Sequence, residues 1–477
     1  MNLLKWILIV INIPAALTAA VHALLYKRNP QSAWGWIGVC LFVPIAGPLF
    51  YFLFGINRIR TRARKLEQKS PFRIRIGYER ADDDDESPSL SVLTVPEFSE
   101  IAQISETVTR RPLSDGNLIE PLQNGEAAYP AMIAAIENAK RTLYLSSYIF
   151  NTDNTGKQFI NALGRAAKRG IDVKVLVDGV GEMYSTPRAR TLLKKRGVHV
   201  ARFLPPRLIP PMLYINLRNH RKILVSDGHT GFVGGMNISD RHMAENQENP
   251  ERVNDLHFRL QGPVVSQIEH VFLEDWRFTT GEKTLPSASA EEVDGGAICR
   301  TIVDGPNEDL DKLASILLGA IAAARRRILI MSPYFLPSRE MIAALQTAAL
   351  RGLEIAVVLP EKNNLPFVQW ATSNMLWEIL QKGIRVYYQP PPFVHTKLFI
   401  VDNYYVQIGS ANIDPRSLRL NFELVVEIYH QPTAALLTSH IIETIKRSRE
   451  VSLKEIDARP LTVRTRDAIA WLLSPYL

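Results

Sequence analysis

Two segments of the chain carry the same pattern of reactive side chains. His220-Arg221-Lys222-Ile223-Leu224-Val225-Ser226-Asp227 leads to Gly234-Gly235-Met236-Asn237, and His395-Thr396-Lys397-Leu398-Phe399-Ile400-Val401-Asp402 leads to Gly409-Ser410-Ala411-Asn412. Both have the form H-x-K-x4-D-x6-G-[GS]-x-N, with every corresponding position offset by 175 residues. In an extended strand, H-x-K puts an imidazole and an ammonium on one face. An imidazole attacks or shuttles protons near neutral pH. The lysine and the asparagine amide suit the non-bridging oxygens of a phosphate, and the glycines let a backbone and a bound phosphate approach closely. One such set is half a site. Two sets related by pseudo-symmetry bring two imidazoles to opposite sides of one phosphorus, one to attack and one to protonate the leaving oxygen. The candidate catalytic residues are therefore His220, Lys222, Asp227, His395, Lys397 and Asp402, with Asn237, Asn412 and Ser410 on the phosphate. For Asp227 and Asp402, five residues past the lysines, a structural role at a turn is at least as good a reading. A lone histidine reads as a structural imidazole, and His22, His199, His229, His242, His270, His430 and His440 are placed there. No metal or other cofactor is called for: the two cysteines, Cys40 and Cys299, show no ligand spacing, and a disulfide between them is not expected.

The elements around these segments also repeat. Arg141–Phe150 reads as a strand ending in a loop, followed by a helical pattern (Phe159, Ile160, Leu163, Ala166, Ala167), Gly170 and a buried strand Val173–Asp178. The second half gives Ile328–Phe335, a helix over Met341–Leu350, Gly352 and Ile355–Leu359. Continuous apolar strands alternating with helices predict an α/β sheet covered on both faces.

The 477 residues carry a net charge of +8, which favours anionic partners. Near the N-terminus, Trp6–Tyr26 is a 21-residue apolar stretch and Ala33–Ile56 a 24-residue one, divided by a short polar turn that holds Lys27 and Arg28. A spanning helix needs about 20 apolar residues, so a transmembrane hairpin is expected; the first stretch is too long for the apolar part of a signal peptide. Pro44 and Pro48, with Gly35, Gly38 and Gly47, predict an irregular second helix, kinked or re-entrant. Arg58, Arg60, Arg62, Arg64 and Lys65 follow it, which puts both ends of a multi-pass hairpin, and the catalytic part, on the cytoplasmic side of the inner membrane. The expected organisation is a hairpin over 1–57, a charged connector over 58–112, a first α/β half over 113–282, a linker over 283–296 and a second half over 297–477.

The repeated segments resemble the HKD motifs of the phospholipase D superfamily. Asn219-His220-Arg221-Lys222, the run Gly409–Ser417 continuing to Asn421-Phe422-Glu423, and the hairpin running into Gly55-Ile56-Asn57-Arg58 resemble bacterial cardiolipin synthases. The resemblance covers nearly the whole chain and is weakest over 66–112. It implies two similar α/β halves packed around one shared active site. It also implies a covalent phosphatidyl-histidine on His220, with His395 as acid and then base. A carboxylate downstream of each motif would orient the histidine of the opposite half, Glu423 for His220 and Asp255 for His395. The implied partners are phospholipids, phosphatidylglycerol foremost, and the bilayer itself; no nucleic acid is expected, and nothing in the sequence sets an oligomeric state. The apolar loop Leu204–Ile215 suits lipid contact or core packing equally, and Pro366–Trp370 and Met375–Trp377 suit a core helix better than the site mouth. Arg218, Arg221, Arg416 and Arg419 suit a second anionic headgroup or plain surface charge. A hydrolytic phospholipase D using water as acceptor is the runner-up. A membrane-tethered phosphodiesterase or nuclease is more distant, and a non-enzymatic scaffold would predict decay of one motif.

Overall fold

The computed structural model describes residues 3–27, 30–55, 98–206, 217–287, 290–305 and 311–474. The chain divides into an N-terminal unit and a larger unit that holds both motif segments.

In the N-terminal unit, one helix runs Leu3–Tyr26 and a second Pro30–Phe42. The second breaks at Val43-Pro44-Ile45, where Ile45 has φ 65°, and resumes as a short turn Ala46–Phe50 and a π-helical turn Tyr51–Gly55. Proline lacks the amide that a helix interior requires, and the ladder stops there. His22 Nδ1 lies 2.7 Å from the Tyr51 hydroxyl, and Lys27 Nζ donates to the Gly55 carbonyl at 2.7 Å, closing the turn back on the hairpin. Among the described residues no helix is long and apolar enough to cross a membrane.

The larger unit is built on one continuous sheet of 15 strands. The first half supplies β1 (Ser114–Gln123), β2 (Thr142–Ser147), β3 (Asp172–Asp178), β4 (His199–Phe203), β5 (Ile223–Ser226), β6 (Thr230–Gly234), the short β7 (Val253–Asn254) and β8 (Leu256–Gln261). The second supplies β9 (Ala297–Asp304), β10 (Arg327–Met331), β11 (Glu354–Pro360), β12 (Arg385–Gln389), the short β13 (Phe393–Val394), β14 (Leu398–Val401), β15 (Tyr405–Gly409), β16 (Glu423–Tyr429) and β17 (Arg449–Val451). The order is β17-β12-β11-β10-β14-β15-β16-β9-β1-β8-β6-β5-β2-β3-β4. Apart from β17, it reads the same from either end once equivalent strands are matched. The centre is an antiparallel pair of equivalents, β1 with β9, as a two-fold relation between the halves requires.

Side-chain alternation divides the core between two faces. In β10, Ile328 and Ile330 face helices Lys312–Ala323 and Arg339–Leu350, while Leu329 and Met331 join a core that includes Val265 and Ile268 of helix Val264–Thr280 and Leu437 and Ile441 of helix Gln431–Lys446. That second core runs across both halves. In the first half, Leu143 and Leu145 of β2 pack instead with Phe159 and Leu163 of helix Asn154–Lys168.

Several expectations change here. The two halves share a sheet and form one compact unit. Connector residues 58–97 lie outside the described residues, but Ser99–Thr109 is a helix whose buried Ile101, Ala102 and Ser105 pack into the second half. The expected linker is anchored by Ser287, which donates to Glu269, and by Val293, which donates to the Gly116 carbonyl. Both cysteines are free and buried.

Asp227 and Asp402 end β5 and β14 in left-handed conformation, φ 52° and 53°. Asp227 accepts from the amides of Lys140, Arg141 and Thr142, and Asp402 from those of Arg325, Arg326 and Arg327, all at 2.7–2.9 Å. Each carboxylate thus holds the start of the neighbouring strand, β2 or β10, at the end of the sheet away from the histidines. The structure does not bring either aspartate to the catalytic cluster; their full set of backbone donors explains the fixed spacing. Asp227→Ala and Asp402→Ala each orphan three amides, so each is expected to cost about 2 kcal/mol of stability. Chemical denaturation should show that loss, while turnover of the folded fraction stays within about twofold of the parent.

Candidate active site

Each histidine is aligned by a short backbone pairing with the other half. Asn219 pairs in parallel with Phe422: the Phe422 amide donates to the Arg218 carbonyl at 2.8 Å, and the His220 amide donates to the Phe422 carbonyl at 2.9 Å. In the second set, β13 pairs in parallel with β7, and the His395 amide donates to the Asn254 carbonyl at 2.8 Å. In both cases the residue that accepts the bond is followed by a carboxylate, so the register sets Glu423 beside His220 and Asp255 beside His395. The Nδ1 of His220 is 3.1 Å from Glu423, and that of His395 is 3.0 Å from Asp255 Oδ2.

Arg218 and Arg221, read from sequence as headgroup or surface charges, are neither. Both are buried. Arg218 pairs with Asp178 at 3.1 Å. Arg221 pairs with Asp275 at 2.5 Å and also donates to the Glu423 and Asp304 carbonyls. These bonds pin the His220 segment on both sides. Arg419 makes an exposed ion pair with Asp311. Of the apolar loop Leu204–Ile215, residues 207–215 lie outside the described residues.

The carboxylates are themselves held. Ser410 Oγ donates to Glu423 Oε2 at 2.5 Å and Asn421 Nδ2 donates to Oε1 at 3.2 Å. Ser410 therefore braces a carboxylate, where the sequence suggested phosphate contact. Its counterpart Gly235 has no side chain, and a Cβ there would lie 2.6 Å from Asp255 Oδ2. Asp255 is held instead by the Leu256 amide at 2.8 Å. The preceding glycines, Gly234 (φ 152°) and Gly409 (φ 148°), are needed by the fold: a Cβ would meet His257 Nδ1 at 2.6 Å or the Leu424 carbonyl at 2.2 Å.

Lys222 and Lys397 are buried, and each donates to the carbonyl of its own histidine, at 2.6 and 2.5 Å. Burial lowers Lys222 to about 7 and Lys397 to about 8. Burial also lowers His220, opposed by Glu423 and aided by Lys222 and Lys397; it lowers His395 to about 3, aided by Lys397 and Lys222. Each histidine is thus bonded to a carboxylate of the opposite half and lies in the field of the opposite motif's lysine. Burial alone would raise the two carboxyls, but His395 and Lys397 hold Asp255 at about 2, and His220, Lys222 and Ser410 keep Glu423 below its ordinary value. The resting site is two ionised carboxylates bonded to two neutral imidazoles. A carboxylate on Nδ1 puts the proton there and leaves the Nε2 lone pair for chemistry.

Asn237 accepts from the Ile149 amide at 3.1 Å through Oδ1, and Asn412 donates to Ser417 Oγ at 3.2 Å. His242, read as structural, accepts from the Asn237 amide through Nε2 at 3.2 Å, and its ring lies 6.4 Å from that of His395. It stands 175 positions before Ser417. Each motif asparagine is therefore contacted by the residue five places on, a correspondence that the offset already contained. Tyr148 and Tyr334, also unread, follow the repeated strands β2 and β10. Their rings lie 5.4 Å from His220 and 6.3 Å from His395. Among the described residues, no group of three or more His, Cys, Asp or Glu side chains is placed to hold a metal.

Two expectations follow from the electrostatics. Attack requires a neutral imidazole and lysines in the charged form. The acid limb of kcat/KM should lie below the ordinary imidazole value of 6.5, and the alkaline limb near 7 to 8, where ordinary lysines would put it above 10. A pH–rate profile with both limbs at ordinary values would contradict this. Glu423→Gln and Asp255→Asn keep the shape but lose the tautomer control, so each should lower kcat about 100-fold or more. Ser410→Ala should lower it only about tenfold, since Asn421 still holds the carboxylate; steady-state turnover of the three variants tests the order.

The family described as "Cardiolipin synthase, PLD-like domain" matches residues 132–276 and 317–445, and that described as "Phospholipase_D-nuclease N-terminal" matches residues 15–55. The chain is 31% identical over 457 residues to the major cardiolipin synthase ClsA of Bacillus subtilis, covering 94% of this chain and 95% of that protein. It is 30% identical over 462 residues to a cardiolipin synthase of Geobacillus kaustophilus, covering 95% and 90%. Among solved structures, a phosphatidylserine synthase of Haemophilus influenzae superposes with a TM-score of 0.62 at 16% identity, over 79% of this chain and 100% of that one, a likeness of fold.

Proposed function

We propose that this chain, which belongs to the cardiolipin synthase family of phospholipase D-like proteins, joins two phosphatidylglycerol molecules into cardiolipin and glycerol through a phosphatidyl-histidine. The observation that carries the mechanism is the pair of carboxylate-bonded imidazoles, one from each motif, each within the field of the other motif's lysine.

His220 Nε2 attacks the phosphorus of the first lipid and the bond to its headgroup glycerol breaks. His395 takes up a proton as the anionic phosphodiester enters, because a nearby negative charge raises its affinity, and gives that proton to the leaving alkoxide. The headgroup hydroxyl of a second phosphatidylglycerol then passes its proton to His395 and attacks the phosphorus, and the P–N bond breaks to free His220. Glu423 supports His220 while it carries the phosphoryl group, and Asp255 supports His395 while it is protonated. Lys222 and Lys397 stabilise charge on the non-bridging oxygens, joined by the side-chain Nδ2 of Asn237, which has no hydrogen-bond partner among the described residues.

The acyl chains require access from a bilayer. The N-terminal hairpin supports attachment to the inner membrane as a two-pass anchor, with the catalytic unit on the cytoplasmic side. Its apolar stretches have spanning length in the sequence, and Leu17, Val21, Leu24, Leu25, Trp34 and Phe42 are exposed on its surface. The positive charge after the second stretch supports the orientation.

Incubation of the purified chain with phosphatidylglycerol in detergent tests the reaction. Cardiolipin plus glycerol is the expected product pair; phosphatidic acid plus glycerol would mean that water is the acceptor. His220→Ala and His395→Ala should each reduce turnover by about four orders of magnitude or more without unfolding the protein. Only His395→Ala should trap a lipid adduct, and only from a donor with a good leaving group. Substantial turnover by either variant would defeat the two-histidine route.

A further inference from the structure

The loops that follow β3 and β11 occupy equivalent places in the two halves, at the carboxyl ends of parallel strands, where open α/β sheets bind their ligands. Both expose large apolar side chains. Met183 and Tyr184 in the first loop are 59% and 63% exposed; Leu365, which ends the second, and Phe367, in the first turn of the helix Pro366–Leu380 that follows it, are 43% and 54% exposed. Each loop also carries an exposed cation, Arg188 or Lys362, with no ion pair among the described residues. The acidic residues of the same loops are engaged: Glu182 is buried against Arg190 and Arg202, and Glu361 lies 3.9 Å from Arg449.

Both loops connect directly to the catalytic pair. The Tyr184 ring lies 6.5 Å from Tyr148, which stands over His220. Asn364 accepts a 2.9 Å bond from the Tyr334 hydroxyl, and Tyr334 faces His395. Apolar residues split between two separate segments, each linked to one of the two histidines, do not form a closed core. Their shared chemistry, apolar tips beside unpaired cations, is that of a surface meeting acyl chains beneath anionic headgroups.

We propose that Met183, Tyr184, Leu365 and Phe367 form a rim through which the catalytic unit docks on an anionic bilayer, so that the cleft opens directly onto its lipid. This rests on the reading of the substrate as a membrane phospholipid. A protein partner is disfavoured, since a folded domain seated on both loops would cover the cleft.

The full-length chain in vesicles provides the test. Cys40 and Cys299 are buried, so a fluorophore attached to Met183→Cys or Phe367→Cys reports those sites. Lys382→Cys, exposed at the opposite end of the parallel strands, is the reference. Lipids spin-labelled near the glycerol backbone should quench the first two at least about twofold more than the reference in phosphatidylglycerol vesicles. Equal quenching at all three sites would overturn the proposal. The double variant Met183→Ser/Phe367→Ser should need about a tenfold higher mole fraction of phosphatidylglycerol in the vesicles for half-maximal rate, yet keep its rate on dispersed short-chain phosphatidylglycerol within about twofold. An equal loss on both substrates would place these residues in the cleft and also overturn it. Failure of the parent chain to use either substrate would instead defeat the proposed reaction, while the quenching result would still stand by itself.

Discussion

The site depends on two short backbone pairings between the halves. One hydrogen bond from the His220 amide to Phe422, and one from the His395 amide to Asn254, set the register in which each imidazole meets a carboxylate encoded far away in the chain. A slip of one residue would turn Glu423 or Asp255 to the opposite side of its strand, because side chains alternate. The buried ion pairs of Arg218 with Asp178 and Arg221 with Asp275 guard that register in the first set. They are costly to leave half-made, which gives the segment one favoured position.

The two dyads share a plan and differ in chemistry. Glu423 is held by a serine hydroxyl and an asparagine amide, whereas Asp255 sits against a glycine, with two neutral histidines, His242 and His257, lowered by burial to about 4. The pseudo-symmetry is therefore one of backbone, and the side chains make the halves unequal. That inequality suits a reaction in which one imidazole bonds to phosphorus while the other only moves protons.

Much of this was legible from spacing. The repeat of H-x-K-x4-D, the strand–helix–strand order and the break at Pro44 all rest on local rules that a sequence states directly. The bracing residues were not legible, because they act through contacts across long chain separations. Arg218 and Arg221 looked like surface charges because nothing local signals a buried partner 40 or 54 residues away. Asp227 and Asp402 drew attention through their fixed spacing, yet that spacing serves three backbone amides at the far end of the sheet. His242 was passed over as a lone histidine, although the 175-residue offset aligned it with Ser417, the contact of the second motif asparagine.

The exchange of carboxylates has a consequence for biosynthesis. While the chain is still on the ribosome, His220 is translated 203 residues before the glutamate that meets its imidazole. A truncated or unfinished product therefore holds a histidine with no acid beside it and only one of the two lysines. The paired arrangement of imidazole and carboxylate arises only once residues beyond 423 have emerged and the last strands have closed.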